Sequence, residues 1–248
     1  MEMELLVDFH KDANRQGPGS SSETKKALSL IDFGKSNNLN VADIGCGTGA
    51  QTITIAENIN GYITAVDLFP EFLEQLEIKA KDRGLHHRIN TKACSMDNLP
   101  FADEEFDLIW SEGAIYILGF EKGVQEWRRF LKGKGFLAVT EISWITDSRP
   151  KEVEEYWLKE YPQIDTVSTK IEQLESNGYY PTAHFILPEY CWIDNYYRPM
   201  QERIPNFLAK HKNSQPVREL VEAEKEEIRI YEKYKEYYSY VFYIAQKR

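Results

Sequence analysis

Cysteine, histidine, basic charge and uninterrupted apolar length are all scarce in this sequence. Cys46, Cys94 and Cys191 lie far apart with no C-x-x-C pair, so neither a disulfide framework nor a cysteine zinc site is expected. Each reads as a small buried apolar side chain. No two of the five histidines have metal-ligand spacing, and no metal is expected. His86 and His87 fall on a surface turn and His211 in a lysine-rich patch, whereas His10 and His184 are candidates to face a site. No window approaches the length of a membrane span, and MEMELLVDFH lacks both the basic region and the apolar stretch of a leader, so a cytoplasmic protein with no membrane insertion is expected. Thirty Lys and Arg face forty Asp and Glu, a formal net charge of -10, which argues against nucleic acid or an anionic membrane as a partner. A monomer or homodimer is expected. There is no internal repeat.

What is present is alternation. Ser20 and Glu23 form a capping-box pattern before Ala27, Leu28, Leu30 and Ile31, which predicts a first helix; NRQGPGS before it is a loop. The strands LNVADI, YITAVD, RINTKA, FDLIWS and FLAVTEI then interleave with helices from Ala50, over EFLEQLEIKAKDRG and over GVQEWRRFLKGKG. The order predicts an α/β fold with a doubly wound, mainly parallel, Rossmann-like sheet. A helix KIEQLESNGY and a strand YPTAHFILPEYCW follow. A long helix starts near Ser214, with Val217, Leu220, Val221, Ile228, Tyr231, Tyr234 and Tyr238 as its core face and solvated Glu and Lys opposite, and YSYVFYIAQKR closes the sheet. Seven strands result, the last antiparallel, with helical aromatic-rich lid insertions. The whole reads as one domain: residues 1–38 an N-terminal lid and first helix, 39–142 a cofactor-binding core, 143–236 substrate and lid segments, and 237–248 the final strand.

The stretch VADIGCGTGAQT, Val41 to Thr52, fits two kinds of glycine loop. Gly45, Gly47 and Ala50 match the fingerprint that seats a dinucleotide pyrophosphate, while Gly45, Gly47 and Gly49 match a loop that holds an adenosyl group without phosphate. Charge separates the two. From Val41 to Ile78 there is no Lys or Arg, while Asp43, Glu57, Asp67, Glu71, Glu74 and Glu77 are acidic, a setting for a cationic ligand. Asp43 is placed to face an ammonium group, and Asp67, ending the second strand, is placed for the hydroxyls of a ribose.

Three ordered motifs carry a family resemblance: DIGCGTGAQ, AVD, and CSMDNLPFADEEFDLIWSEGA. Together they resemble the class I S-adenosylmethionine-dependent methyltransferases, of the small-molecule type found in ubiquinone and menaquinone biosynthesis, over about Val41 to Ile142. The resemblance implies S-adenosyl-L-methionine as cofactor, with S-adenosyl-L-homocysteine as product. It implies Asp43, Gly45, Gly47, Thr48, Gly49 and Gln51 around the methionine end, Asp67 and Leu68 at the ribose, and Ser95, Met96 and Asp97 at the adenine. Ser111 and Glu112 then face the methionine moiety and the substrate entrance. Many members carry Asp where this chain has Ser95, which leaves either Ser95 or Asp97 to read the adenine amine. The implied activity is methyl transfer by in-line displacement to a small phenolic, quinol-like or other planar apolar acceptor. A non-catalytic cofactor-binding regulatory module and an NAD-dependent oxidoreductase are the alternatives.

Further residues are assigned by position. Glu112 and Tyr116 are the candidates to take a proton from the acceptor. Arg15 and Gly17, in NRQGPGS, are candidates to cover the cofactor, with Arg15 on its carboxylate. Among the late aromatics Trp144, Tyr156, Trp157, Tyr161, Tyr190, Trp192, Tyr196 and Tyr197, those expected to line a substrate lid are Trp144, Tyr190, Trp192, Tyr196 and Tyr197.

Overall fold

A computed structural model describes residues 2–34 and 38–248, except for the side chain of Glu2; the rest of the 1–38 segment lies outside the described residues. The central sheet runs β3 (Ile89–Ala93), β2 (Gly61–Asp67), β1 (Leu39–Ile44), β4 (Phe106–Ser111), β5 (Leu131–Trp144), β8 (Tyr238–Lys247), β7 (Tyr179–Ile186). A two-residue strand, β6 (Asp165–Thr166), pairs with the end of β5. Pairing is parallel from β3 to β5, and β8 is antiparallel to both neighbours. The expected doubly wound sheet with an antiparallel last strand is therefore present. Chain order reverses between β1 and β4, which opens a crevice at their carboxyl ends.

The helices are α1 (Glu2–His10), α2 (Ser21–Ser29), α3 (Ala50–Asn58), α4 (Pro70–Asp82), α5 (Phe120–Trp127), α6 (Lys151–Glu160), α7 (Val167–Ser176), α8 (Glu189–Trp192), α9 (Arg198–Lys210) and α10 (Gln215–Tyr234). Strands of the parallel core are buried on both faces, so Val41, Ala42, Ile44, Leu108, Ile109 and Trp110 have no exposed surface. Ser20 caps α2 by accepting from the Glu23 N–H at 3.0 Å, while the Glu23 carboxylate accepts from the Tyr190 hydroxyl at 2.7 Å.

Four expectations need correction. The helix after Ser20 is the second, because α1 precedes it; Phe9 and Val7 are buried by packing that MEMELLVDFH alone does not announce. The helix expected over Gly123 to Gly135 ends at Trp127. KGKG becomes an irregularity within β5, where Lys134 takes a left-handed φ of 67° and the pairing with β4 shifts register between Phe106 and Leu108. The strand expected from Tyr180 to Trp192 stops at Ile186, because Pro188 offers no N–H to the sheet and its extended backbone starts α8. Cys94 is half-buried where full burial was expected.

α1 is held in place by charge as well as by Phe9. The Asp8 carboxylate accepts from Lys210 at 2.6 Å, His211 at 2.8 Å and Lys11 at 2.9 Å. Burial opposes its ionisation, but the hydrogen bonds from Lys210, His211 and Lys11 outweigh it and hold the carboxyl well below its ordinary range. A carboxyl with a depressed folded-state pKa stabilises above its ordinary value of 3.8 and loses that contribution as pH falls toward the folded value. Asp8→Asn is therefore expected to lower stability by about 1 kcal/mol at pH 7, with the difference from wild type shrinking below about pH 4. Urea denaturation at both pH values checks this, and a pH-independent difference would contradict it.

Candidate active site

The crevice at the β1–β4 switch is closed into a cavity of about 590 Å³. Its floor is the glycine loop after β1. Gly45 has φ +74°, and a Cβ there would collide with the Cβ of Ala114, which the backbone fixes, so only glycine fits. Gly47 lines the cavity and donates its N–H to Asp67 Oδ2 at 2.8 Å; Asp67 Oδ1 accepts from the Phe69 N–H at 3.1 Å. Burial raises the Asp67 pKa, and each of its oxygens keeps a lone pair for a ligand hydroxyl.

The N-terminal arm roofs this floor. Gln16 accepts from the Thr48 N–H at 2.9 Å and donates to Thr48 Oγ1 at 3.2 Å, while Thr48 Oγ1 donates to Ala13 O at 3.0 Å. Arg15 crosses to the end of β4 and meets Glu112 at 2.9 Å, with side-chain exposures of only 9% and 4%. Glu112 also accepts from Thr24 Oγ1 at 2.7 Å and from the Trp110 indole at 3.0 Å. The second guanidinium nitrogen of Arg15, Nη2, is buried and has no hydrogen-bond partner among the described residues. Asn195 donates to Gly19 O at 2.8 Å and ties the arm to the later helices.

Of the residues singled out from sequence, the cavity brings together Arg15, Gly17, Gly45, Gly47, Gln51, Asp67, Leu68, Ser95, Met96, Glu112, Tyr116 and Tyr196, with His10 beside them. Others lie elsewhere. Asp43 is fully buried behind Gln51, accepting from Thr52 Oγ1 at 2.5 Å and from the Gln51 amide at 3.5 Å, and burial pushes it up to about 7. Thr48 turns to the arm and to Lys79. Gly49 lets α3 approach α4, since a Cβ there would overlap Leu76. Ser111 is buried and donates to Ile44 O at 2.8 Å, and Asp97 faces a separate depression beside Trp127 and Phe130.

The aromatic lid is largely core. Trp192 stacks on Tyr231 at 4.4 Å and on Tyr240 at 5.3 Å and donates to Ser239, Trp144 packs edge-on to Tyr238, and Tyr197 donates to Glu227 at 2.8 Å. These rings fill the space between α10, β8 and the helical run from Glu189, where burial of large apolar area outweighs a place at the cavity. Tyr190 lies outside the cavity, on Ser20 and Glu23. Tyr196 alone of the five reaches it, from a π-helical turn at Ile193–Tyr197. His184 is exposed on β7.

Sequence reading missed Gln16, Met3, Leu6, Glu224 and Glu227, all at the cavity. Glu224 and Glu227 fell on the face of α10 expected to be solvated. A signal was available, because both keep phase with Val217, Leu220, Val221, Ile228 and Tyr231 at intervals of three and four. Among the described residues, no cluster of three His, Cys, Asp or Glu is arranged to hold a metal, and no helix is long and apolar enough to cross a membrane.

The strand order, the glycine loop after β1 and the carboxylate ending β2 define the class I S-adenosylmethionine-dependent methyltransferase fold. Residues 41–135 match the methyltransferase domain family. A ubiquinone/menaquinone biosynthesis C-methyltransferase, UbiE, of Geobacter sp. (strain M21) is 32% identical over 128 residues, 50% of this chain and 54% of that protein. The chain spans about half the length, or less, of the curated relatives it matches. Among solved structures, an S-adenosylmethionine-dependent methyltransferase from Geobacter sulfurreducens in complex with S-adenosyl-L-homocysteine superposes with a TM-score of 0.85 at 16% identity, covering 99% of this chain and 98% of that one. The [4+2]-cyclase SpnF has a TM-score of 0.78 at 18% identity, with 99% and 92% covered. The fold is shared by this chain and both solved structures, and chemistry is decided by the site.

Breaking a buried ion pair from one side strands its partner. Glu112→Ala is expected to cost about 3 kcal/mol in urea denaturation, and Arg15→Met combined with Glu112→Leu to recover most of that loss. Additive losses in the double variant would contradict the pairing.

Proposed function

We propose that this protein is an S-adenosylmethionine-dependent methyltransferase acting on a small molecule, with S-adenosyl-L-homocysteine as product. The observation that carries the reading is that one cavity is faced by the glycine-loop backbone, the Asp67 carboxylate and the Arg15 guanidinium with its unpartnered Nη2. These groups fit the cofactor. Asp67 suits the ribose hydroxyls, Arg15 Nη2 the carboxylate, Gln51 and the glycine loop the methionine end, and Leu68, Ser95 and Met96 the adenine. A pyrophosphate suits the cavity less well, since Arg15 is already paired with Glu112.

When bound, the cofactor supplies a methyl carbon activated by positively charged sulfur. The chain's contribution is alignment and exclusion of water: the arm from His10 to Ser20 covers the loop, and Arg15 fastens it to β4. Glu112, expected as a proton acceptor, is already held by Arg15, Thr24 and Trp110, so its role is positioning. Tyr116 faces the cavity, and its phenol is pushed up to about 12 by burial first and then by Glu227, Glu141 and Glu224, so near neutral pH it orients an acceptor as a hydrogen-bond donor and not as a base. Met3, Leu6, Leu68 and Ile117 are exposed at the same cavity and favour an acceptor with an apolar body, a class that includes phenolic and quinol-like compounds. The formal net charge of -10 argues against a nucleic-acid partner, and we assign the protein to the cytoplasm as a monomer or homodimer.

Calorimetric titration with S-adenosylmethionine, S-adenosylhomocysteine and NADH tests the reading. The first two are expected to bind, at least about tenfold more weakly to Asp67→Ala, which is about 1.4 kcal/mol. Binding of NADH alone would overturn it.

A further inference from the structure

The wall of the cavity away from the glycine loop carries more negative charge than a cofactor needs. Glu224 and Glu227 lie one turn apart on α10 and both face the cavity, together with Tyr116 and Tyr196. Among the described residues no lysine or arginine forms an ion pair with either carboxylate; the Arg203 guanidinium acts on Glu224 only at longer range. Among the described residues Glu227 has one hydrogen bond, from the Tyr197 hydroxyl at 2.8 Å, and Glu224 lies 3.7 Å from the imidazole of His10. Two carboxylates placed in phase with a buried apolar stripe are costly unless something compensates them. His10 faces the same cavity, is only 6% exposed, and among the described residues its Nδ1 has no hydrogen-bond partner. Two carboxylates and two phenol rings at one wall favour a ligand that carries positive charge.

Resting on the methyltransferase reading, we infer that the acceptor carries a cationic or basic nitrogen, seated against Glu227 and Glu224 between the rings of Tyr116 and Tyr196. The exposed apolar residues at the cavity take the rest of the molecule. Burial, and then the neighbouring Glu224, push Glu227 up to about 7, the response of a carboxylate lacking its counter-charge. A bound ammonium supplies that charge. Arg15 and Asp67 serve the cofactor, so the acceptor nitrogen is read by residues that the cofactor does not use.

The test uses the full chain saturated with S-adenosylhomocysteine and titrated calorimetrically with benzyltrimethylammonium, benzylamine and the neutral benzyl alcohol. Both cations are expected to bind at least about tenfold more tightly than the alcohol. Glu227→Gln is expected to weaken both cations by about tenfold while S-adenosylhomocysteine affinity stays within about twofold. Tyr116→Leu, which keeps both carboxylates, provides a second variant and is expected to weaken benzyltrimethylammonium by about fivefold. Retained S-adenosylhomocysteine binding with no preference for the cations, or cation binding unchanged in both variants, overturns the acceptor assignment alone. Absence of S-adenosylhomocysteine binding by the wild-type protein overturns the methyltransferase reading and this assignment with it.

Discussion

The site depends on one buried ion pair, Arg15 with Glu112. Two charges removed from water are tolerated only when each satisfies the other and the remaining donors and acceptors find partners. Glu112 meets that condition through Thr24 and Trp110 as well as Arg15. Arg15 does not meet it fully, since Nη2 is buried without a partner. The pair therefore fastens the arm over the glycine loop. The hydrogen bonds of Gln16 with Thr48 and of Asn195 with Gly19 hold the arm at its other points.

A second constraint is the balance of charge inside the cavity. Asp43 stands behind Gln51, Asp67 holds the loop through backbone N–H groups, and Glu112 is paired; Glu224 and Glu227 are left facing open space. The same burial that raises Asp43 and Glu227 makes the interior receptive to positive charge. The acidic bias seen between Val41 and Ile78 thus has a counterpart on α10, more than a hundred residues later in the chain.

Aromatic residues divide by the same competition between burial and access. Trp144, Trp192 and Tyr197 pack against α10 and β8, where stacking and area burial hold them. Tyr196 is their sequence neighbour, yet the π-helical turn that contains it directs it to the cavity. Composition alone does not separate these two fates, because both positions are large, aromatic and helical.

The order of strands and helices in the parallel core was legible, since strand and helix periods and the turn chemistry of DIGCGTGAQ are local properties of the chain, although the boundary between α5 and β5 was not. For the same reason Gly45, Gly47, Gln51, Asp67 and Ser95 were placed from their positions at strand ends. Local pattern singled out His10 but did not reveal the helix α1 that carries it, because this segment is fixed only by docking on α9 and α10 through Asp8, Phe9 and His10. Nor did it reveal that Glu224 and Glu227 point inward. A glutamate on a long helix is ordinarily solvated, and only the packing of that face over the β1–β4 crevice makes it the wall of a cavity. The sequence by itself determined the sheet, the loop and the place of the Asp67 carboxylate at the end of β2 through short-range periodicity and turn sterics. Tertiary structure decided how the roof expected from NRQGPGS is fastened, the Arg15–Glu112 pairing and the acidic wall, because these contacts join residues from 32 to 176 positions apart, whose electrostatics change only when water is removed from between them.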